Sequence, residues 1–114
     1  MKYKAFTGIM IIINLKVGFM RLWLDDIRPM PAGFTHHAHS VNEAKRFIID
    51  AEQSGELITC IDCDHDLGDF AFDGGDGIKL LDWLVERNTL YSIKLHTMNP
   101  VGMNNMKRMI QRYW

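Results

Sequence analysis

The chain has 114 residues, 47% of them hydrophobic and 24% charged, with a formal net charge of −1. That is length for one domain and too little for two ordinary ones. The balanced charge excludes the basic face that extended duplex nucleic acid needs, though not a local pocket for a small nucleotide. The two cysteines, Cys60 and Cys63, make no disulfide framework and fit a reducing, cytoplasmic setting.

The first segment, residues 1–19, has two early lysines and an apolar run from Ile9 to Ile13. It is too short to span a membrane, and no small-x-small cleavage site follows it. We read it as a leader or an extra edge strand, with the domain proper over 20–114. From Met20 the pattern alternates strand and helix. "MRLWL" (20–24) is an apolar strand ending at Asp25 and Asp26. "IRPMPAG" (27–33) is a loop, since prolines and glycine break regular structure. "FTHHAHS" (34–40) is a short strand. Ser40 and Glu43 have capping-box spacing, and the helix they open carries Val41, Ala44, Phe47, Ile48 and Ala51 on one face, with Gly55 as its stop.

"LITCID" (57–62) reads as a strand buried on both faces. "LGDFAFDGGDG" (67–77) is a loop. "IKLLDWLVERN" (78–88) is a helix with Leu81, Leu84 and Val85 inward. "YSIKLH" (91–96) is a strand. Asn99 caps a last helix with Pro100 at its first position, lined by Met103, Met106, Ile110 and Tyr113. Alternating strands and helices predict an α/β fold: a small parallel sheet of about four strands with flanking helices and right-handed crossovers.

Such sheets bind ligands beyond the carboxyl ends of their strands. Asp25 and Asp26, then Asp64, His65 and Asp66, then His96, Thr97 and Asn99 therefore converge on one rim. At an effective dielectric of about 20, two unit charges about 4 Å apart repel by roughly 4 kcal/mol. A hard divalent cation on Asp25, Asp26 and Asp64 would offset that repulsion, which points to magnesium or manganese. Asp69, Asp73 and Asp76 are read as turn and cap residues. Asp62 belongs to the strand interior, and Asp66 offers a carbonyl or an outer contact.

Such a rim suits phosphate chemistry. Hydrolysis of a phosphodiester needs an in-line nucleophile, charge neutralisation and an acid for the leaving alkoxide. The nucleophile is a water or the Asp64 carboxylate. His65 or His96 is the acid, His96 being preferred because it can face the substrate opposite the metal. Arg28, Thr97, Asn99 and the opening of the last helix would hold phosphate oxygens. His36, His37 and His39 are read as surface or packing residues. A zinc site from Cys60, Cys63 and His96 is disfavoured, because residues three apart on a strand point to opposite faces.

"LDD" after the first strand and "DCDHDLG" after the third resemble the acidic pocket of response-regulator receiver domains. "LWLDDIRPMP", "DHDLGD" and "HTMNPVGMNNM" resemble, in order and spacing, the three blocks of a receiver-derived branch, the cyclic-phosphate processing receiver-like domains. The resemblance covers residues 20 to about 112 and implies a truncated receiver-like, flavodoxin-like topology. It implies a metal-dependent phosphohydrolase acting on a cyclic nucleotide or an RNA-end cyclic phosphate. A non-catalytic nucleotide- or phosphate-binding module is the alternative. A phospho-accepting switch is a further one, weakened because the fifth strand and its lysine are absent.

Overall fold

The computed structural model describes residues 18–114. The reading of residues 1–19 as a leader or edge strand falls, for 1–17, outside the described residues. Elements run β1 (Phe19–Leu24), β2 (His36–Ala38), α1 (Val41–Gln53), β3 (Leu57–Cys63), α2 (Ile78–Arg87), β4 (Ile93–Leu95) and α3 (Pro100–Tyr113). The first strand thus begins one residue before Met20. All strands are parallel, in the order β2-β1-β3-β4.

This topology puts the helices on one side. Both helical crossovers, β2-α1-β3 and β3-α2-β4, run the same way across the sheet, so right-handedness sends α1 and α2 to the same face. No helix joins β1 to β2, where the proline-rich loop sits. The core lies beneath the helices: Met20, Leu22 and Leu24 of β1 and Ile61 and Cys63 of β3 meet Val41, Ala44, Ile48, Leu80, Leu81, Leu84 and Met106. Burial of such side chains contributes about 1.5–3 kcal/mol each.

The expectation that β3 is buried on both faces holds only for its second half. Cys60 to Cys63 are buried, while Leu57 and Thr59 are exposed. The reason is the missing helix: the loop covers the far face only in part, with Phe34 edge-on to Trp23 and the Arg28 carbonyl accepting from its indole. In α2 the buried residues are Leu80, Leu81 and Leu84, so Leu80 takes the place expected of Val85. In α3, Gly102 and Met106 are buried and Tyr113 is exposed.

The predicted caps form with one change. Ser40 Oγ accepts from the Glu43 amide, but Glu43 Oε1 accepts from the His39 amide rather than from that of Ser40. Asn99 Oδ1 accepts from the Gly102 amide with Pro100 in the first turn, as a capped helix start requires. The 67–77 segment is more ordered than a plain loop. Leu67 is fully buried, and a 3-10 turn follows over Gly68–Phe72. Asp76 accepts from the Leu67 amide, and Asp73 accepts from Ser40 and Asn42, tying the segment to the start of α1. No helix among the described residues is long and apolar enough to cross a membrane.

Candidate metal and phosphate site

The rim forms where β1, β3 and β4 end side by side. Asp25 is fully buried there. Its Oδ1 accepts from the amides of Ile27 (2.9 Å) and Arg28 (2.7 Å), which fixes the sharp exit from β1. Its Oδ2 faces His96 Nε2 at 2.9 Å. Burial works against the Asp25 charge, but the Arg28 and Ile27 amides and the His96 imidazole outweigh it and hold the carboxyl below its ordinary value.

His96 is held from both ends. Nδ1 lies 2.7 Å from Asp62 Oδ1, and Nε2 meets Asp25. The ring stacks on Trp23, 3.8 Å between centroids and 5° from parallel. Two ionised carboxylates can only accept, so the imidazolium, with two N–H groups, is the form that satisfies both. Burial disfavours that charge, but Asp62 and Asp25 together raise the His96 pKa. Arg28 completes the clamp. Its guanidinium donates to the His96 carbonyl at 2.8 Å, and its own carbonyl accepts from the Trp23 indole at 3.2 Å.

Asp64 sits between these elements, at the end of the central strand β3. It is 8% exposed, and its Oδ1 accepts from the His65 amide at 2.7 Å. Burial and the neighbouring Asp25 charge push its carboxyl up, against the pull of Thr97, the His65 amide and His96. The loop that carries it is fixed by close packing. A Cβ on Gly77 would lie 1.9 Å from the Asp64 carbonyl oxygen, and the Gly77 amide donates to the His65 carbonyl at 2.7 Å.

His65 turns away from the Asp25–His96 pair. Its Nδ1 lies 2.7 Å from Asp66 Oδ1, and Asn99 Nδ2 donates to both Asp66 oxygens. These two partners hold the Asp66 carboxyl below its ordinary value. The ring rests on the first turn of α3: a Cβ on Gly102 would come within 2.4 Å of His65 Cγ.

Of the residues assigned to the rim, Asp26, Arg28, Asp64, Asp66 and Thr97 line its cavity, while Asp25, His65, His96 and Asn99 are taken up by partners around it. Asp25, Asp64 and His96, rather than Asp25, Asp26 and Asp64, place ligand atoms within 4.8 Å of one another. The carboxylates that line the open cavity form a different set, which shares Asp64 with that group. A cavity of about 250 Å³ is lined by Asp26, Asp64 and Asp66, with Arg28 and Thr97 beside them. Asp25 is spent on two amides and an imidazole, which leaves Asp26 and Asp64 as the oxygen donors that could hold a cation. That all-oxygen set suits a hard ion such as magnesium or manganese. A positive charge there would also relieve the raised Asp64 carboxyl.

Two contributors escaped the sequence reading: Asp62, left to the strand interior, and Trp23, read only as strand. The signal for Asp62 was available. A carboxylate inside a buried strand needs a charged or hydrogen-bonding partner, and His96 closes the adjacent strand. His36 and His39 stay outside the rim, as packing partners of Phe47 and Phe70, and His37 Nε2 reaches only the Asp25 carbonyl. Cys60 and Cys63 are free and buried.

The comparisons with known proteins agree with this architecture. A family model described as the cyclic-phosphate processing receiver domain matches residues 20–112. No curated protein and no solved structure matches the chain. With nearly the whole described fold inside that match, the chain belongs to the cyclic-phosphate processing receiver domain family.

Proposed function

We propose that the protein is a divalent-cation-dependent phosphohydrolase that opens cyclic phosphodiesters, of a nucleotide or an RNA end, in the cytoplasm. The observation that supports this most is the pairing of Asp64, a buried carboxylate with a raised pKa, with an open cavity whose other walls are Asp26, Arg28 and Thr97. Asp26 and Asp64 would hold magnesium or manganese. Such a cation would neutralise phosphate oxygens and make phosphorus more electrophilic.

The remaining steps fall to the chain itself. Arg28 has donors beyond the one given to His96, and they can take phosphate oxygens in a fork. The N-terminus of α3 adds a favourable dipole on the same side. Water attacks phosphorus in line with the ester bond that breaks; its proton goes to solvent, and the leaving alkoxide takes one back. The alkoxide takes its proton from water, because both His96 nitrogens are committed to carboxylates and His65, turned to Asp66, does not line the cavity. His96 then serves as a fixed cation that keeps Asp25 ionised beneath the site.

The test is incubation of the pure protein with magnesium and a panel of cyclic phosphates, with products resolved by chromatography. Ring-opened monoesters are expected from wild type and not from Asp64→Asn. Tight binding with no product would leave a binding module instead. Transfer of label from acetyl phosphate onto Asp64 would favour a phospho-accepting switch.

A further inference from the structure

The most exposed large apolar side chains of the described fold are Phe72 (87%), Met98 (83%), Ile27 (82%) and Val101 (69%). All follow the carboxyl ends of strands, on the side of the sheet that carries the acidic rim. Single exposed apolar residues need no explanation, but a group gathered around one cavity marks a binding surface. Two of them, Ile27 and Met98, line the acidic cavity itself.

Their positions are set by the sheet order. Ile27 follows β1 and Met98 follows β4, and those strands flank β3, which Asp64 follows directly. Two strand spacings, about 10 Å, separate β1 from β4. A planar ring held between two side chains needs about 7–8 Å between their contacting atoms, less than that spacing.

The floor and the lips ask for different chemistry. Asp26, Asp64 and Arg28 suit a cation and a phosphate. A bare cyclic phosphate would satisfy them and leave both lips in water. A nucleoside cyclic phosphate carries a flat base with two apolar faces on the same molecule. We infer that Ile27 and Met98 form a clamp for the base of a nucleoside cyclic phosphate, gripping its faces while the phosphate lies over Asp64. This rests on the phosphohydrolase reading for the position of the phosphate. The clamp is aliphatic and grips faces rather than edges, so it accepts purines and pyrimidines alike.

The experiment compares adenosine and uridine 2′,3′-cyclic phosphates with glycerol 1,2-cyclic phosphate, in the presence of magnesium. Binding is read by calorimetry and turnover by phosphorus NMR. The proteins are wild type and the Ile27→Ala/Met98→Ala double variant, whose substitutions lie in solvent and leave the core intact. Wild type should bind both nucleosides at least about tenfold more tightly than the glycerol ester, from the apolar area withdrawn from water. The double variant should lose that advantage, with glycerol binding and kcat unchanged. If all three esters bind equally, or the double variant weakens all three equally, the clamp is overturned even when hydrolysis is seen. If the nucleosides bind through the clamp and none is hydrolysed, the clamp stands and the phosphohydrolase reading falls. No binding of any ester overturns both.

Discussion

Charged side chains gather at both ends of the sheet, and the two groups are built differently. At the end opposite the rim, Glu52 of α1 accepts from Arg87 of α2 (2.6 Å) and from the Tyr91 hydroxyl. Arg87 lies over the Trp83 ring at 4.3 Å, and the Trp114 indole donates to the Tyr91 carbonyl. One acid, one base and one phenol close on each other. At the rim, two imidazoles and one guanidinium stand among Asp25, Asp26, Asp62, Asp64 and Asp66, and His65 is paired with Asp66. His96 balances Asp25 and Asp62, and nothing comparable balances Asp64. The direction of the pKa shifts records the difference: the Glu52 carboxyl is lowered by its partners, while that of Asp64 is raised by burial and by Asp25. A charge cluster that is closed internally fastens helices. One that is left anionic is open to a cation, which is the site proposed above.

The largest effect that separates the two ends is on turnover. Asp64→Asn should reduce cyclic phosphate hydrolysis by at least about 10³-fold, the scale of losing a principal electrostatic contact to the transition state. Glu52→Gln should change kcat less than about twofold, because it touches no reacting group. Comparable losses from both variants would mean that the distinction drawn here is false. Next in size is a stability effect at the rim. Gly77→Ala would drive a methyl into the Asp64 carbonyl, against backbone that cannot rotate away. A loss of about 3 kcal/mol or more is expected in chemical denaturation, within the range of severe backbone and overpacking lesions.

The contrast also explains what the sequence could show. Periodicity carried the elements, because Val41, Ala44, Ile48 and Ala51 need only face one way to define α1. Strand-end logic alone brings Asp25, Asp64 and His96 to one place. The division of labour among the carboxylates was not legible. It depends on which oxygen each backbone amide claims, and the Ile27 and Arg28 amides claim Asp25. The half-open face of β3 was also missed. Composition alone does not say that a strand such as "LITCID" loses one covering layer when a preceding crossover lacks its helix. The 3-10 turn at Gly68–Phe72 depends on Leu67 being a core residue, which one leucine amid glycine and aspartate does not announce.

A smaller effect concerns stability without cation. Glu52→Gln should cost about 1–2 kcal/mol, since it weakens a partly exposed pair but also a charge-assisted hydrogen bond to Tyr91. Asp64→Asn should leave stability unchanged or raise it in the presence of chelator, because it removes a carboxylate whose charged form is disfavoured in the fold. In millimolar magnesium the order should reverse, with wild type gaining melting temperature by mass action and Asp64→Asn gaining none. Wild type melting identically with chelator and with magnesium would count against a cation at Asp26 and Asp64.

The smallest effect is on the pH profile, and it tests the closed end alone. Glu52 has a folded pKa below the ordinary 4.5, through its hydrogen bond to Arg87 first and Tyr91 after it. For an acid with a depressed folded pKa, the unfolded chain binds the proton more readily. Its stabilising contribution is therefore complete above the unfolded value and fades as pH falls through the folded one. Arg87 keeps its charge throughout this range, and Tyr91, pushed up to about 12, stays protonated. Wild type and Glu52→Gln should then differ by a constant margin from pH 6 to 8, and the margin should shrink as pH falls below the ordinary 4.5. Chelator in every sample keeps the rim from contributing a cation effect. Asp64 titrates with the opposite sign, since its raised pKa relieves a strain on acidification, but it does so equally in both proteins and cancels in the difference. A margin that persists unchanged to pH 3 would show that the glutamate acts by packing, and that the closed end is not held by charge.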